Sequence, residues 1–172
     1  MAEIDDPDAI FIAYGSNLLS GPETASQAFE RVVKDLRDSG LQVTKISRLW
    51  SSIAWPNNQD PAYVNAVLQI RTDLQPDELL QLLHKLEYAR GRVRDEKRNA
   101  PRVLDLDIVA YGRHVLASEN GLNLPHPRAA DRAFVMGPLA EISPGWVHPV
   151  LGRTAQDLLT TATVGRDAYP LD

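Results

Sequence analysis

The chain has no cysteine in its 172 residues, which excludes disulfides, CxxC redox chemistry and thiolate zinc sites and leaves the redox compartment undetermined. It has no stretch of 18 apolar residues, and its N-terminal MAEIDDPDAI is acidic, without the basic region and apolar run of a secretory leader. A cytoplasmic protein with no membrane association is expected. Positive charge is in deficit as well. With 18 Lys and Arg against 23 Asp and Glu, the formal net charge is -5, which argues against a general nucleic-acid binder because phosphate backbones are held by an excess of cations. Aromatics are sparse at 6%, and no segment carries the aromatic-rich strand pattern of an RNA-binding sheet. What is present is a chain of 44% hydrophobic residues, long enough to bury its own core as one domain.

Hydrophobic spacing gives the order of elements. Ala9 to Tyr14 is a short apolar run stopped by Gly15-Ser16-Asn17, which predicts a buried strand ending in a turn. From Glu23 to Asp38, Ala25, Ala28, Phe29, Val32, Val33 and Leu36 recur at helical spacing, with Gly40 just beyond as a stop. Two strand-like runs follow, Leu41 to Trp50 and Tyr63 to Arg71, joined by a Pro- and Asn-containing connection too long for a tight hairpin. Pro76 suits a first helical turn, and Leu79, Leu80, Leu82, Leu83 and Leu86 build the stripe of a second helix up to Gly91. Val103 to Tyr111 reads as a strand, and the Pro-rich remainder reads as irregular chain with one helix over Ala155 to Thr161. The order β-α-β-β-α-β predicts an α+β, ferredoxin-like core: an antiparallel sheet with helices packed on one face, followed by a C-terminal extension. That topology serves many functions, so function must be read from a site.

The chemistry concentrates around Leu104-Asp105-Leu106-Asp107-Ile108. A strand's period of two puts the apolar residues on one face and both aspartates on the other. Two carboxylates projecting from a rigid element suit a hard cation such as Mg²⁺, which takes oxygen ligands and shares substrate phosphates. A bare pair of this kind also fits an ordinary strand with a solvated polar face. Residues 90–102 immediately before it hold six cationic side chains, Arg90, Arg92, Arg94, Lys97, Arg98 and Arg102, and guanidinium groups bind phosphate oxygens in bidentate fashion. Together these point to a polyphosphate substrate; separately, the basic run also fits a solvated loop paired with Asp95 and Glu96. Gly15-Ser16-Asn17 lacks the spacing of a P-loop or a dinucleotide fingerprint. The histidines at 84, 114, 126 and 148 show no metal-ligand spacing. Tyr63, Trp55 and Phe134 fit either core positions or platforms for a flat heterocycle, and Asn65, two residues from Tyr63, could read a ring's donors and acceptors.

Read together, Gly15-Ser16-Asn17-Leu18, Tyr63-x-Asn65, Glu87-x3-Gly91-Arg92-x-Arg94, Pro101-Arg102-x-Leu104-Asp105-Leu106-Asp107-Ile108 and Leu124-Pro125-His126-Pro127-Arg128 resemble the signature of 6-hydroxymethyl-7,8-dihydropterin pyrophosphokinases, in the family's order. The resemblance implies one pyrophosphokinase domain over residues 1–172, ordered binding of two substrates, ATP then pterin, and transfer of diphosphate to the pterin alcohol in folate biosynthesis by a monomer. It implies that Asp105 and Asp107 hold two Mg²⁺ ions and that Arg92 and Arg102 stabilise the transferring diphosphate. Glu87, Arg94, Arg98, Ile108, His126 and Arg132 match positions at the ATP site. Ser52, Trp55, Tyr63, Asn65 and Phe134 match positions at the pterin site. The chain departs from the family pattern at Asn99-Ala100, where an aromatic often precedes the Pro-Arg pair, and at His84, Gly121 and Pro127.

Overall fold

A computed structural model describes residues 5–17, 23–53, 62–91, 104–118 and 121–171. Its elements are β1 (Ile10–Ser16), α1 (Ala25–Asp38), β2 (Gln42–Ile46), β3 (Trp50–Ser52), β4 (Tyr63–Arg71), α2 (Pro76–Ala89), β5 (Asp105–Tyr111), β6 (Leu116–Ala117), β7 (Asn123–Leu124), α3 (Ala133–Ile142), α4 (Ala155–Thr161) and β8 (Tyr169–Pro170). The main sheet runs β5-β1-β4-β3-β8, with β2 also paired to β4, and all its pairings are antiparallel. This is the α+β, ferredoxin-like order expected of the sequence.

Local chemistry explains where the elements begin. Thr24 caps α1 by accepting the Gln27 N–H at 3.1 Å, while the Gln27 side chain accepts the Thr24 N–H at 2.9 Å, a reciprocal capping box. Pro76 opens α2, followed by Asp77 and Glu78 in the positive first turn. The predicted strand Leu41 to Trp50 divides into β2 and β3, both lying along β4. Ser47 bridges the break: its N–H donates to the Val67 carbonyl at 3.0 Å, and its Oγ accepts the Val67 N–H at 2.9 Å. The central strand thereby keeps its hydrogen bonds across the interruption.

Helices cover both faces of the sheet, which corrects the expectation of one. The first face packs Ile10, Ile12 and Tyr14 of β1, Leu68 and Ile70 of β4, and Leu106 and Ile108 of β5 against Phe29, Val33 and Leu36 of α1 and Leu79 and Leu83 of α2. The second packs Phe11, Val67 and Val109 against Val135, Met136 and Leu139 of α3, Leu158 of α4, and Trp146. In this layer α4 spans the expected Ala155 to Thr161, whereas α3 lies in chain expected to be irregular, because it contains Gly137 and Pro138, an interior pair that ordinarily argues against helix. Burial overrides propensity here. Nearly every α3 residue from Ala133 to Ala140 is inaccessible, and a Cβ on Gly137 would lie 2.5 Å from the Trp50 ring, so only glycine admits that indole between helix and sheet. Among the described residues, no helix is long and apolar enough to cross a membrane.

Candidate active site

Strand parity builds the site. Leu104, just before β5, and Leu106 and Ile108 within it are 2%, 1% and 3% exposed in the first-face core, while Asp105 and Asp107 are half-buried on the second face. Neither carboxylate enters the apolar core. A register shift opposite Phe11 and Ile12 puts both Val109 and Ala110 into the second-face core, so the polar stretch ends at Asp107. The aspartates are two residues apart, about 7 Å along the strand.

The register carries the row across the sheet. Gly15 pairs with Asp105 on one side and Asn65 on the other, and Asn65 pairs with Trp50. A Cβ on Gly15 would lie 3.6 Å from Asn65 Oδ1 and 3.9 Å from Asp105 Cβ. Glycine therefore leaves a shallow trough between an amide and a carboxylate two strand spacings, about 10 Å, apart. In the next rows Ala13 pairs with Asp107, and Tyr63 pairs with Ser52. Asn65 is 6% exposed and its Nδ2 donates to Ser52 Oγ at 3.0 Å, which fixes the amide so that its oxygen faces the Gly15 gap. The sequence reading treated Gly15 as a turn; in the structure β1 continues through Ser16, and the glycine is the floor of the site. Its signal was the Gly-Ser-Asn string, but only sheet register shows what the missing side chain makes room for.

Residues 125–132 bring cations to the aspartate side. The His126 N–H donates to the Val109 carbonyl at 2.8 Å, fastening this loop to β5. His126 Nδ1 accepts the Arg128 N–H at 3.2 Å, which assigns the neutral ring's proton to Nε2. Burial, reinforced by the positive charge of Arg132, pushes the imidazole down to about 4, against a partial opposing pull from Asp105. At neutral pH it is an uncharged donor. Arg132 is the N-cap of α3, with its guanidinium carbon 5.7 Å from the centroid of the Phe134 ring. Phe134 packs on the second-face core, the layer that borders the Asn65 row.

The structure thus gathers Ser52, Tyr63, Asn65, Asp105, Asp107, His126, Arg132 and Phe134 on one side of the sheet. It does not bring Glu87 and Ile108 there. Ile108 points into the opposite core, so a place for its side chain beside a nucleotide base is not observed; its exposed-face contribution is limited to main chain. Glu87 lies at 2% exposure on the core-facing stripe of α2 with Leu79 and Leu83. A carboxylate on such a stripe is costly unless it is satisfied locally. Arg90 is also removed from the expected phosphate-binding group: its Nε and a terminal nitrogen reach Asp35 Oδ2 at 2.8 and 2.5 Å, joining α2 to α1. Trp55, Arg92, Arg94, Arg98 and Arg102 lie outside the described residues, as do Asn99 and Ala100.

Residues 11–144 match the family model described as 7,8-dihydro-6-hydroxymethylpterin-pyrophosphokinase. The chain is 40% identical over 147 residues to a folic acid synthesis protein of Pneumocystis carinii, covering 86% of this chain and 19% of that protein. It is 42% identical over 121 residues to a 2-amino-4-hydroxy-6-hydroxymethyldihydropteridine pyrophosphokinase of Synechocystis, covering 70% and 60%. With the enzyme of that name from Haemophilus influenzae it shares 40% identity over 139 residues, covering 81% and 84%. It therefore spans about a fifth of the first of these relatives and most of the last. A Plasmodium falciparum HPPK-DHPS crystal structure with pteroate superimposes with a TM-score of 0.69 at 12% identity, over 88% of this chain and 42% of that one, a likeness of fold. The family model, the relatives and the paired aspartates across Gly15 from Asn65 lead to one assignment: the chain belongs to the 7,8-dihydro-6-hydroxymethylpterin-pyrophosphokinase family.

Proposed function

We propose that this chain is a 2-amino-4-hydroxy-6-hydroxymethyldihydropteridine diphosphokinase, a cytoplasmic transferase of folate biosynthesis acting as one domain over residues 1–172. Its substrates are ATP and 6-hydroxymethyl-7,8-dihydropterin; neither a nucleic acid nor a membrane takes part. Every assigned residue is carried by a single chain, so a monomer suffices. The observation that carries the reading is the row Asp105-Gly15-Asn65, which sets a phosphate-directed carboxylate and a ring-reading amide about 10 Å apart on a rigid sheet.

The donor set fits a hard cation. Asp105 and Asp107 offer oxygen ligands from one polar face, which suits Mg²⁺ ions that complete their coordination with phosphates and water. Two ions held there would neutralise charge on the triphosphate. The remaining work belongs to side chains. Arg92 and Arg102 stabilise charge on the transferring diphosphate; Arg94, Arg98 and Arg132 hold phosphate oxygens, and neutral His126 donates Nε2–H to one. By resemblance the nucleoside end falls to Glu87 and Ile108, whose buried side chains lie on the opposite side of the sheet. Tyr63, Phe134 and Trp55 hold the flat pterin, Asn65 reads its edge, and Ser52 fixes the amide. The hydroxymethyl oxygen then attacks the β-phosphorus, the bond from that phosphorus to the α–β bridging oxygen breaks, AMP leaves with the electron pair, and the hydroxyl proton passes to solvent. Positioning and charge stabilisation supply the catalysis.

Incubating the protein with ATP, Mg²⁺ and the pterin, then separating nucleotides, tests the reading. AMP equal to pterin diphosphate is expected. Pterin-dependent ADP would make it an ordinary kinase, and absence of any pterin-dependent product would leave a binding module.

A further inference from the structure

Residues 163–171 lie beyond the stretch matched by the family model, yet they touch both walls of the pocket assigned above to the pterin. On one wall, the Phe134 ring rests on Gly165. That residue has φ +71°, and a Cβ there would fall 2.4 Å from Phe134 Cδ1, so an L side chain is opposed both by its own backbone and by the ring. On the other wall, Asp167 Oδ2 accepts the Ile53 N–H at 2.6 Å. Ile53 directly follows Ser52, whose Oγ accepts from Asn65.

The segment is anchored at both ends. At its start the Asp131 carboxylate accepts the Thr163 N–H at 2.9 Å and the Thr163 hydroxyl at 2.6 Å, while the Ala133 N–H donates to the Val164 carbonyl at 2.8 Å. At its end β8 pairs with Trp50 and Ser51, and the Leu171 N–H donates to the Leu49 carbonyl at 2.7 Å. It therefore ties the first turn of α3, which carries Phe134, to β3, which carries Ser52.

We propose that residues 163–171 form a strap that sets the distance between the two walls of the pterin pocket, with Gly165 and Asp167 as positioning residues. This rests on the pterin reading of the site and deepens it: ring affinity depends on residues that never touch the ring. Gly165 fixes the depth of the Phe134 ring, and Asp167 fixes the start of the loop after Ser52. The strap stands apart from Asp105 and Asp107 but borders Arg132, whose backbone bridges to Val164 and whose guanidinium lies over Phe134, so pterin binding should respond more strongly than nucleotide binding.

The test measures pterin binding in the presence of Mg²⁺ and α,β-methylene-ATP, separately from binding of that nucleotide alone. Gly165→Ala is expected to raise the pterin Kd and KM about tenfold, the size of one well-made contact, with nucleotide Kd changed by a distinctly smaller factor. Asp167→Ala, a change at an exposed position that leaves the fold intact, is expected to raise them about threefold, as one lost hydrogen bond does. Asp167→Asn should recover most of that loss, because its amide oxygen can still accept from Ile53. Combining Gly165→Ala with Phe134→Leu should remove the cost of the glycine change, since the ring through which it acts is gone. Pterin binding unaltered in both single variants overturns the strap, as does equal weakening of pterin and nucleotide. If the parent chain turns over pterin while the variants match it, the inference alone fails. If the parent binds no pterin, the functional reading fails and takes the strap with it.

Discussion

Against α1 and α2, the inward positions of β1, β4 and β5 are Ile10, Ile12 and Tyr14, then Ala66, Leu68 and Ile70, then Leu104, Leu106 and Ile108, an unbroken apolar surface. On the other side the same strands offer Phe11, Ala13 and Val67 to the core formed with α3 and α4, then change to Gly15, Asn65, Asp105 and Asp107. One face is all core; the other is half core and half site. The difference teaches how a small α+β domain separates stability from chemistry. A strand alternates its sides, so each chemical residue is flanked in sequence by residues that anchor it, and the carboxylates are held rigid by leucines they never contact.

The sharpest way to break this comparison is to exchange like for like on β5. Asp107→Ala should lower turnover by about a thousandfold, the scale of a lost electrostatic partner in a transition state, while leaving the melting temperature within a few degrees of the parent. Leu106→Ala, one residue away, should instead cost about 2–5 kcal/mol of stability, because it opens a cavity in a well-packed core, and its folded fraction should keep near-parent activity. Turnover assays paired with thermal melts decide it. If Asp107→Ala unfolds the protein, or Leu106→Ala abolishes turnover in folded protein, the two faces are not separate.

Asn65 probes the boundary between the halves. Replacing it with Ala removes an edge-reading amide and strands its partner Ser52, so pterin affinity should fall about tenfold. Nucleotide affinity should hold. Calorimetric titration with each ligand separates the outcomes, and loss of ATP affinity with pterin binding unchanged would reverse the assignment.

His126 gives the smallest effect. Its folded value, about 4, lies below the ordinary 6.5, so the unfolded chain binds the extra proton first as pH falls. The contribution to stability is therefore complete above about 6.5, declines between 6.5 and about 4, and levels off below. An NMR titration of the imidazole should show the depressed midpoint, and adding Mg²⁺ with ATP should raise it as phosphate oxygens approach Nε2. A midpoint near 6.5 in the free protein would mean that the ring is not desolvated beside Arg132.

Much of this was legible before any coordinates. Hydrophobic spacing alone located β4, α2 and α4, because their patterns are regular and their ends carry ordinary stop signals. The aspartate pair was legible for the same reason: parity needs only the knowledge that residues 104–108 form a strand. The other helix of the second layer, α3, was not legible. Gly137 and Pro138 speak against helix locally, and only the Trp50 ring seated on Gly137 shows why they are there. Ile108 carried a family position, but its side chain obeys the parity of its strand and goes to the core.

The sequence by itself determined the β-α-β-β-α-β order of the core, the polar side of β5 and the family, since each depends on residues close together in the chain or on the order of short strings. Tertiary structure decided which strands became neighbours. It set Gly15 between Asp105 and Asn65, committed Arg90 to Asp35, and brought Gly165 and Asp167 back to Phe134 and Ile53. The physical reason is that sheet register and helix docking join residues 31 to more than 100 positions apart in the chain, where neither propensity nor periodicity carries information.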